Sequence, residues 1–401
     1  RPGGGSAVGT KNPLLVSLPW KLSTATALVC TADALPYARR LVEESPLWSA
    51  IHANPLGPGE DVPSVTYVVT NTNRVAFVPK DATTHRTIAV EPHLNICLQL
   101  GADQYLKRRL RAFGVDLSSQ ERNQRFAKSG ALDWEQCDPL VTLDLAAASD
   151  SLSLGLVERL LPRVWHDYLD CIRSKSYVLS GGNPVEYQKW SSMGNGYTFS
   201  LETLIFWALA KACSSFTTSE DVVTVYGDDI SVPRGTAALL IEVLKYCGFA
   251  INIDKSSLFG PFRESCGEDY WAADRVVPVY IRDRSNLLPT DIYRVANTLK
   301  KEWFHDDIRR YLLQSHKGRP IVYGLPVRDS SACWFTSLDH LLRAGMVQWN
   351  APMQCWRQRV ARFAPKGRDP SELVGYAAAL LGSKIHSDPD WLVAKAALRR
   401  Q

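Results

Sequence analysis

The sequence predicts an α+β fold, a small antiparallel sheet backed by helices and followed by a mainly helical lobe. Three observations lead there. Residues 138–260 run strand, helix, helix, strand-turn-strand, helix, strand, an order that such a sheet produces. Past about residue 275 the apolar positions recur at helical spacing. The 401 residues are 45% hydrophobic and include 12 Trp, 15 Tyr and 12 Phe, which excludes a disordered chain and allows more than one lobe.

Taken in order, residues 1–63 are rich in Gly, Pro and Ser and read as loops and short elements around a larger body. Strands are expected at 65–69 and 75–78, with a turn at Pro79-Lys80-Asp81. Residues 94–113 have helical periodicity and carry Lys107, Arg108, Arg109 and Arg111, either as a solvated face or as phosphate contacts. A short apolar strand, 140–143, ends at Asp144. Leu152, Leu154, Val157, Leu160 and Leu161 then mark a helix that stops by Pro162. Gly194-Asn195-Gly196 leads into a helix over 198–212. Residues 222–226 and 230–232 flank Gly227-Asp228-Asp229 as strand, tight turn, strand. A helix over 237–247 stops at Gly248. Residues 261–267 form a tight hairpin. The last region carries helices at 292–303, 307–313, 337–347 and 372–381.

Charge and cysteine usage narrow the function classes less than the motifs do. The net charge of +5, from 46 basic and 41 acidic residues, is compatible with a polyanionic partner without requiring one. Nine scattered cysteines contain no Cys-x-x-Cys pair, so neither a zinc finger nor a dithiol redox site is indicated, and unpaired thiols are the simpler reading. The longest candidate membrane stretch, 204–212, falls far short of the roughly 20 residues that span a bilayer, so no membrane association is expected. The chain opens with Arg1 and no signal peptide. Further upstream sequence is the expectation.

The chemistry centres on Tyr226-Gly227-Asp228-Asp229. Gly-Asp-Asp alone is also an ordinary surface turn. What raises it is Asp144, at the end of a strand that can pair beside the turn. Hard carboxylate oxygens on rigid backbone suit Mg²⁺, and two such ions can activate a hydroxyl nucleophile and hold the leaving oxygens of a triphosphate. Asp144, Asp228 and Asp229 are therefore the candidate metal ligands and catalytic residues, with Mn²⁺ a possible substitute ion. Lys255, in Asn252-Ile253-Asp254-Lys255, is a candidate to protonate or attract departing pyrophosphate.

Several other segments could hold a nucleotide. Asp150 lies six positions after Asp144, across mostly small residues, and suits a ribose 2′-OH, although Ser149 or Asp150 also suits a helix cap. Ser192, Gly194 and Asn195 lie in a polar, glycine-punctuated loop before a helix, suited either to nucleotide and template contacts or to capping alone. Arg74, Lys80 and Arg86 lie on a predicted pair of strands that could clamp a triphosphate. Glu91 is placed to orient one of these cations. Solvated hairpin charges remain the alternative.

Together these segments resemble the replicase catalytic (beta) subunit of the leviviruses, the small positive-strand RNA bacteriophages. The resemblance runs from about Asn73 to Trp271. It is carried by Phe77-Val78-Pro79-Lys80 with Arg86, by Asp144 to Ser151, by Ser191 to Phe199, by Tyr226 to Ile230, and by Gly260-Pro261-Phe262-Arg263-Glu264-Ser265-Cys266-Gly267. It implies an RNA-directed RNA polymerase with a right-hand fold. On that plan residues 1–135 are fingers, expected to be N-terminally incomplete, and 136–275 are palm with a fingers insertion near 165–195. Residues 276–401 form a mainly helical thumb and C-terminal region. The resemblance also implies an RNA template and product, NTP substrates, two Mg²⁺ ions, and the host elongation factors Tu and Ts with ribosomal protein S1. The setting it implies is the cytoplasm of an infected bacterium. Met193-Gly194 and Glu202 stand where polymerases of other positive-strand viruses carry Ser-Gly and Asn, which leaves the division of ribose recognition between Asp150 and Asn195 open. A reverse transcriptase and a noncatalytic RNA-binding scaffold are the competing readings. The Gly before the paired aspartates favours the RNA polymerase over the former.

Overall fold

In a computed structural model, the described residues are 28–54, 64–79, 84–179, 182–217, 219, 221–272, 274–276, 289–302, 306–315, 321–326 and 333–358. Lys80 and the helix expected at 372–381 lie outside them. The chain divides into two compact units, Arg1–Asp274 and Arg275–Gln401.

The first unit opens with strand β1 (Leu28–Cys30) and helices α1 (Leu35–Glu43) and α2 (Pro46–His52). Within the N-terminal region expected to hold loops and short elements, the short elements are thus one strand and two helices. Pro at the start of each fits a helix N-terminus, where its missing N–H costs nothing. Next come β2 (Tyr67–Val69), parallel to β1, then β3 (Thr72–Pro79), β4 (His85–Val90) and α3 (His93–Ala112). Leu94, Leu98, Ala102, Leu106 and Leu110 repeat every four residues along α3 and are all buried. A fully buried Leu of this kind is worth roughly 1.5–3 kcal/mol. On its other face Lys107 pairs with Asp103 at 2.8 Å and Arg111 with Asp116 at 3.2 Å.

Helix α4 (Glu121–Leu132) precedes β5 (Leu140–Leu143) and β6 (Leu145–Ala146). Helix α5 (Leu154–Leu160) starts at Ser153, whose hydroxyl accepts from the Leu156 N–H at 3.2 Å. It ends before Pro162, as expected. Pro162 then begins a second, unanticipated helix, α6 (Arg163–Ile172). Strands β7 (Ser176–Val178) and β8 (Val185–Glu186) follow, and β4-β3-β7-β8 form one sheet.

The central layer is built from α7 (Thr198–Ser214), β9 (Thr224–Tyr226), β10 (Asp229–Pro233) and α8 (Arg234–Tyr246). The sheet order is β5-β10-β9, antiparallel throughout, with Leu143 opposite Ile230 and Tyr226 opposite Asp229. Val141, Leu143, Val225, Ile230 and Val232 join α3, α7 and α8 in the main core. Helix α4 covers the other side. Its Asn123 accepts from Thr224 Oγ1 at 2.7 Å and donates to the Asp229 carbonyl at 3.0 Å. Gly248, at φ +91, ends α8 in the left-handed region, as a C′ glycine does. Strand β11 (Ala250–Ile251) pairs with β6, and the hairpin β12 (Phe262–Ser265)–β13 (Glu268–Trp271) completes this unit.

Among its described residues the second unit is less helical than expected. Helices Pro289–Glu302 and Asp306–Ser315 match the predicted pair, and Ile292, Tyr293 and Ala296 pack against Trp334. The helix expected over 337–347 is shorter, Leu338–Arg343. Gly345 turns the chain at φ +64, and Val347–Asn350 pairs instead with Cys355–Gln358 as a hairpin. Tyr323–Gly324 and Trp334–Phe335 add a parallel pair. Aromatic and β-branched residues in this stretch satisfy helical spacing but pack better on a pleated surface.

Candidate active site

The acidic turn is a two-residue hairpin connection between β9 and β10. Gly227 takes its first central position at φ +65, the place where a II′ turn takes glycine. A side chain there would also collide with Phe199, 2.5 Å from a notional Cβ. The Gly227 N–H donates to Thr203 Oγ1 at 2.9 Å, so α7 holds the turn from beneath.

Because Leu143 lies opposite Ile230, continuing the register by one residue sets Asp144 beside Asp229 and the turn. Asp144 is gripped by residues 252–256. The Asn252 N–H donates to its carbonyl at 2.9 Å and Asn252 Nδ2 to Oδ2 at 2.8 Å. The Asp144 N–H donates to Ser256 Oγ at 3.0 Å. Lys255 Nζ lies 4.0 Å from Asp144 Oδ2, so the structure joins these two candidates directly.

Asp229 faces the β12–β13 hairpin, where the backbone N–H and thiol of Cys266 meet its carboxylate. Burial, then the neighbouring Glu264 and Asp228, push its pKa up to about 7. Burial likewise raises Glu264, helped by Asp269 and Asp144. Arg263, 1% exposed, anchors that hairpin by donating to the carbonyls of Leu140, Gly260 and Phe262.

This concentration of hard oxygen donors fits a divalent cation chemically, since each carboxylate disfavours ionisation of the next and a cation would relieve it. Among the described residues, however, no group of three or more His, Cys, Asp or Glu side chains converges as a ligand set. Asp144 and Asp229 are instead turned toward Asn252 and Cys266.

The nucleotide-binding candidates separate into two groups. Arg74, opposite Val90, and Arg86, opposite Val78, are exposed on the same face of the β3–β4 ladder. Glu91 does not orient either cation. It is buried and accepts from Asn73 at 2.8 Å, Ser174 at 2.8 Å and Gln99 at 3.1 Å, which is the satisfaction a carboxyl in the core requires. Burial raises its pKa, against those hydrogen bonds. Asp150 lies in the one-turn 3-10 helix Ser149–Ser151 and pairs with Lys189.

Ser192 and Asn195 are nearly buried and engaged internally. Ser192 meets the Tyr187 hydroxyl, and Asn195 Oδ1 accepts from the Tyr197 N–H at 3.1 Å. Their loop is fastened to two elements. The Ala89 N–H of β4 donates to the Met193 carbonyl at 2.7 Å, and the Gly196 N–H donates to Gln99 Oε1 of α3 at 2.9 Å. Gly194, at φ +125, passes so close to β4 that a Cβ would stand 2.0 Å from the Ala89 carbonyl oxygen.

Two contributors, Asn123 and Lys189, gave no local signal in the sequence. Glu202, noted there only for standing in place of an Asn, is 4% exposed and accepts from Ser149 Oγ at 2.8 Å. Burial foremost pushes its pKa up to about 8, with Asp228 adding to the rise and Ser149 opposing it.

The first unit thus sets an acidic hairpin beside a strand-end aspartate and carries exposed arginines on its β3–β4 ladder. Comparison with known proteins gives the family. RNA replicase, beta-chain, matches residues 3–309, and the chain belongs to that family, as its motifs suggested. It is 47% identical over 228 residues to the RNA-directed RNA polymerase subunit beta of Escherichia virus Qbeta, covering 57% of this chain and 38% of that one. Against the corresponding subunit of Enterobacteria phage SP it is 45% identical over 232 residues, covering 58% and 39%. The beta chain of Escherichia phage MS2 is 41% identical over 210 residues, covering 52% and 38%. The matched stretch thus spans about two-fifths of these relatives' length.

Proposed function

We propose that this chain carries the catalytic centre of an RNA-directed RNA polymerase that replicates a phage genome from NTPs. The observation that carries this reading is the β5–β10 register, which brings Asp144 beside the Asp228-Asp229 turn in a chain of the replicase beta family. In the reaction a 3′-hydroxyl attacks the α-phosphorus, a new phosphodiester forms, and the bond to the β-phosphate oxygen breaks to release pyrophosphate.

Asp144, Asp228 and Asp229 would hold two Mg²⁺ ions, which when bound supply activation of the hydroxyl and neutralisation of the triphosphate. The remaining work falls to the chain's own groups. Arg74 and Arg86, with Lys80, attract the triphosphate to the β3–β4 face. Asp150 accepts from the ribose 2′-OH, while Ser192, Gly194 and Asn195 shape the loop beside it. Lys255, close to Asp144, balances negative charge as pyrophosphate departs. This reading extends to a right-hand arrangement: fingers in 1–135, palm in 136–275, thumb in 276–401. It extends also to the elongation factors Tu and Ts and ribosomal protein S1 as partners in the bacterial cytoplasm. No helix among the described residues is long and apolar enough to cross a membrane.

The test is Mg²⁺-dependent incorporation of NTPs by the full chain on a defined RNA template, with and without those partners. Incorporation that Asp228→Asn reduces at least about a thousandfold is expected. Exclusive use of dNTPs would point to a reverse transcriptase, and no incorporation under any supplement to an RNA-binding scaffold.

A further inference from the structure

The residues so far given roles are joined by a device that none of those roles explains. Two successive residues on the first turns of α7 hold two different segments of the site. Thr203 accepts from the Gly227 N–H at 2.9 Å and so holds the acidic turn. Glu202 accepts from Ser149 Oγ at 2.8 Å and so holds the segment that carries Asp150. Thr203 is itself locked, donating to the Phe199 carbonyl at 2.7 Å.

The segment that Glu202 holds is strained. Ala147 has φ +52, a region that costs a residue with a Cβ of order 1 kcal/mol and persists only where surrounding contacts impose it. The chain then tightens into Ser149–Ser151, with the Ser151 N–H shared between the carbonyls of Ala147 and Ala148 at 3.0 Å each. Within one such turn a tether on Ser149 holds the backbone from which the neighbouring Asp150 side chain projects. Burying a carboxyl group to tether a serine is costly, and a plain apolar residue would pack this helix position more cheaply.

We propose that Glu202 is a specificity-determining positioning residue, which through Ser149 sets the Asp150 carboxylate for recognition of the ribose 2′-OH. Thr203 fixes the acidic turn from the same helix, so the sugar-sensing carboxylate and the catalytic turn share one rigid reference. Lys189 supplies the second constraint, by pairing with the Asp150 carboxylate itself. Glu202 touches no substrate; it acts through Ser149. This inference rests on the polymerase reading.

The experiment measures kcat/KM for an NTP and for the matching dNTP on one defined RNA template, using the full chain in its active assembly. The ratio of the two cancels any difference in the fraction of folded enzyme between variants. Ser149→Ala is expected to lower the NTP-over-dNTP ratio about tenfold, and Glu202→Leu to lower it equally. The double variant should be no worse than either single one, since both break one tether. Glu202→Gln, which keeps an acceptor for Ser149, should restore most of the ratio. If Glu202→Leu does not fold, Ser149→Ala and Glu202→Gln still decide the matter. An unchanged ratio in an active Ser149→Ala enzyme overturns the inference and leaves the polymerase reading standing. Absence of NTP incorporation by the unsubstituted chain overturns both.

Discussion

Asn252 holds Asp144 at two points, its backbone N–H on the carbonyl at 2.9 Å and its side-chain amide on Oδ2 at 2.8 Å. The backbone contact survives substitution and the amide contact does not, so the side chain's contribution can be isolated. Partners that orient a ligating carboxylate typically account for 10–100-fold in metal affinity or activity. Asn252→Leu should therefore raise the Mg²⁺ concentration for half-maximal NTP incorporation by about tenfold. An Mg²⁺ titration checks this, and an unshifted midpoint would show that Asp144 needs no such support.

Gly194→Ala tests the closest approach in the site. The new Cβ would meet the Ala89 carbonyl at 2.0 Å, in a backbone conformation already unfavourable to alanine. Either the loop or β4 must move. A loss of about 2–4 kcal/mol is expected, readable as a lowered midpoint in denaturant with the slope preserved. Wild-type stability in this variant would mean that the loop is free of β4 in solution.

Glu202 makes stability depend on pH in a stated direction. Its folded pKa is raised from 4.5 to about 8, chiefly by burial. The folded state thus binds a proton more tightly than the unfolded state. The associated stability is fully present below about pH 4.5 and is lost as pH rises through about 8. Glu202→Gln removes this dependence. Its stability relative to wild type should climb between those limits by up to a few kcal/mol. Thermal melts of both proteins across pH 4–9 provide the measurement, and a constant difference would contradict a perturbed Glu202.

Arg263→Met removes a buried guanidinium that serves three carbonyls across β5 and the β12–β13 hairpin. Methionine fills similar space but leaves those oxygens without their donors. A cost of about 3 kcal/mol is expected. Hydrogen exchange should show the loss concentrated in residues 260–271, and an even loss across the chain would locate the anchor elsewhere.

The acidic hairpin and its partner strand could be read because their signals are local: β-branched runs on either side of Gly227-Asp228-Asp229, and Asp144 ending an apolar strand. Helix α4 could not. Asn123 and Gln124 attach it to the site through hydrogen bonds to Thr224, Asp229 and Cys266, and apolar periodicity does not register polar packing. Pro162 ended one helix as expected, but the same proline equally suits the start of α6, and the sequence alone does not separate the two uses. Lys189 meets Asp150 across 39 residues, a pairing that only the tertiary fold creates. Ser192, Asn195 and Glu91 carry a second demand that their polarity did not announce: each also satisfies the protein's own interior.

The sheet that carries the basic ladder has a consequence for synthesis of the chain. Strand β3 pairs in parallel with β7, Thr72 opposite Ser176, so roughly 100 residues must be translated between one edge and its neighbour. At about 5–20 residues per second, β3 waits about 5–20 s on the ribosome with that edge unpaired. Its β4 partner arrives almost at once, so the exposed species is a two-stranded ribbon with apolar side chains. Such an edge can recruit another nascent chain. Slowing translation between residues 90 and 176 should therefore lower the soluble yield, and coexpressed chaperone should recover it.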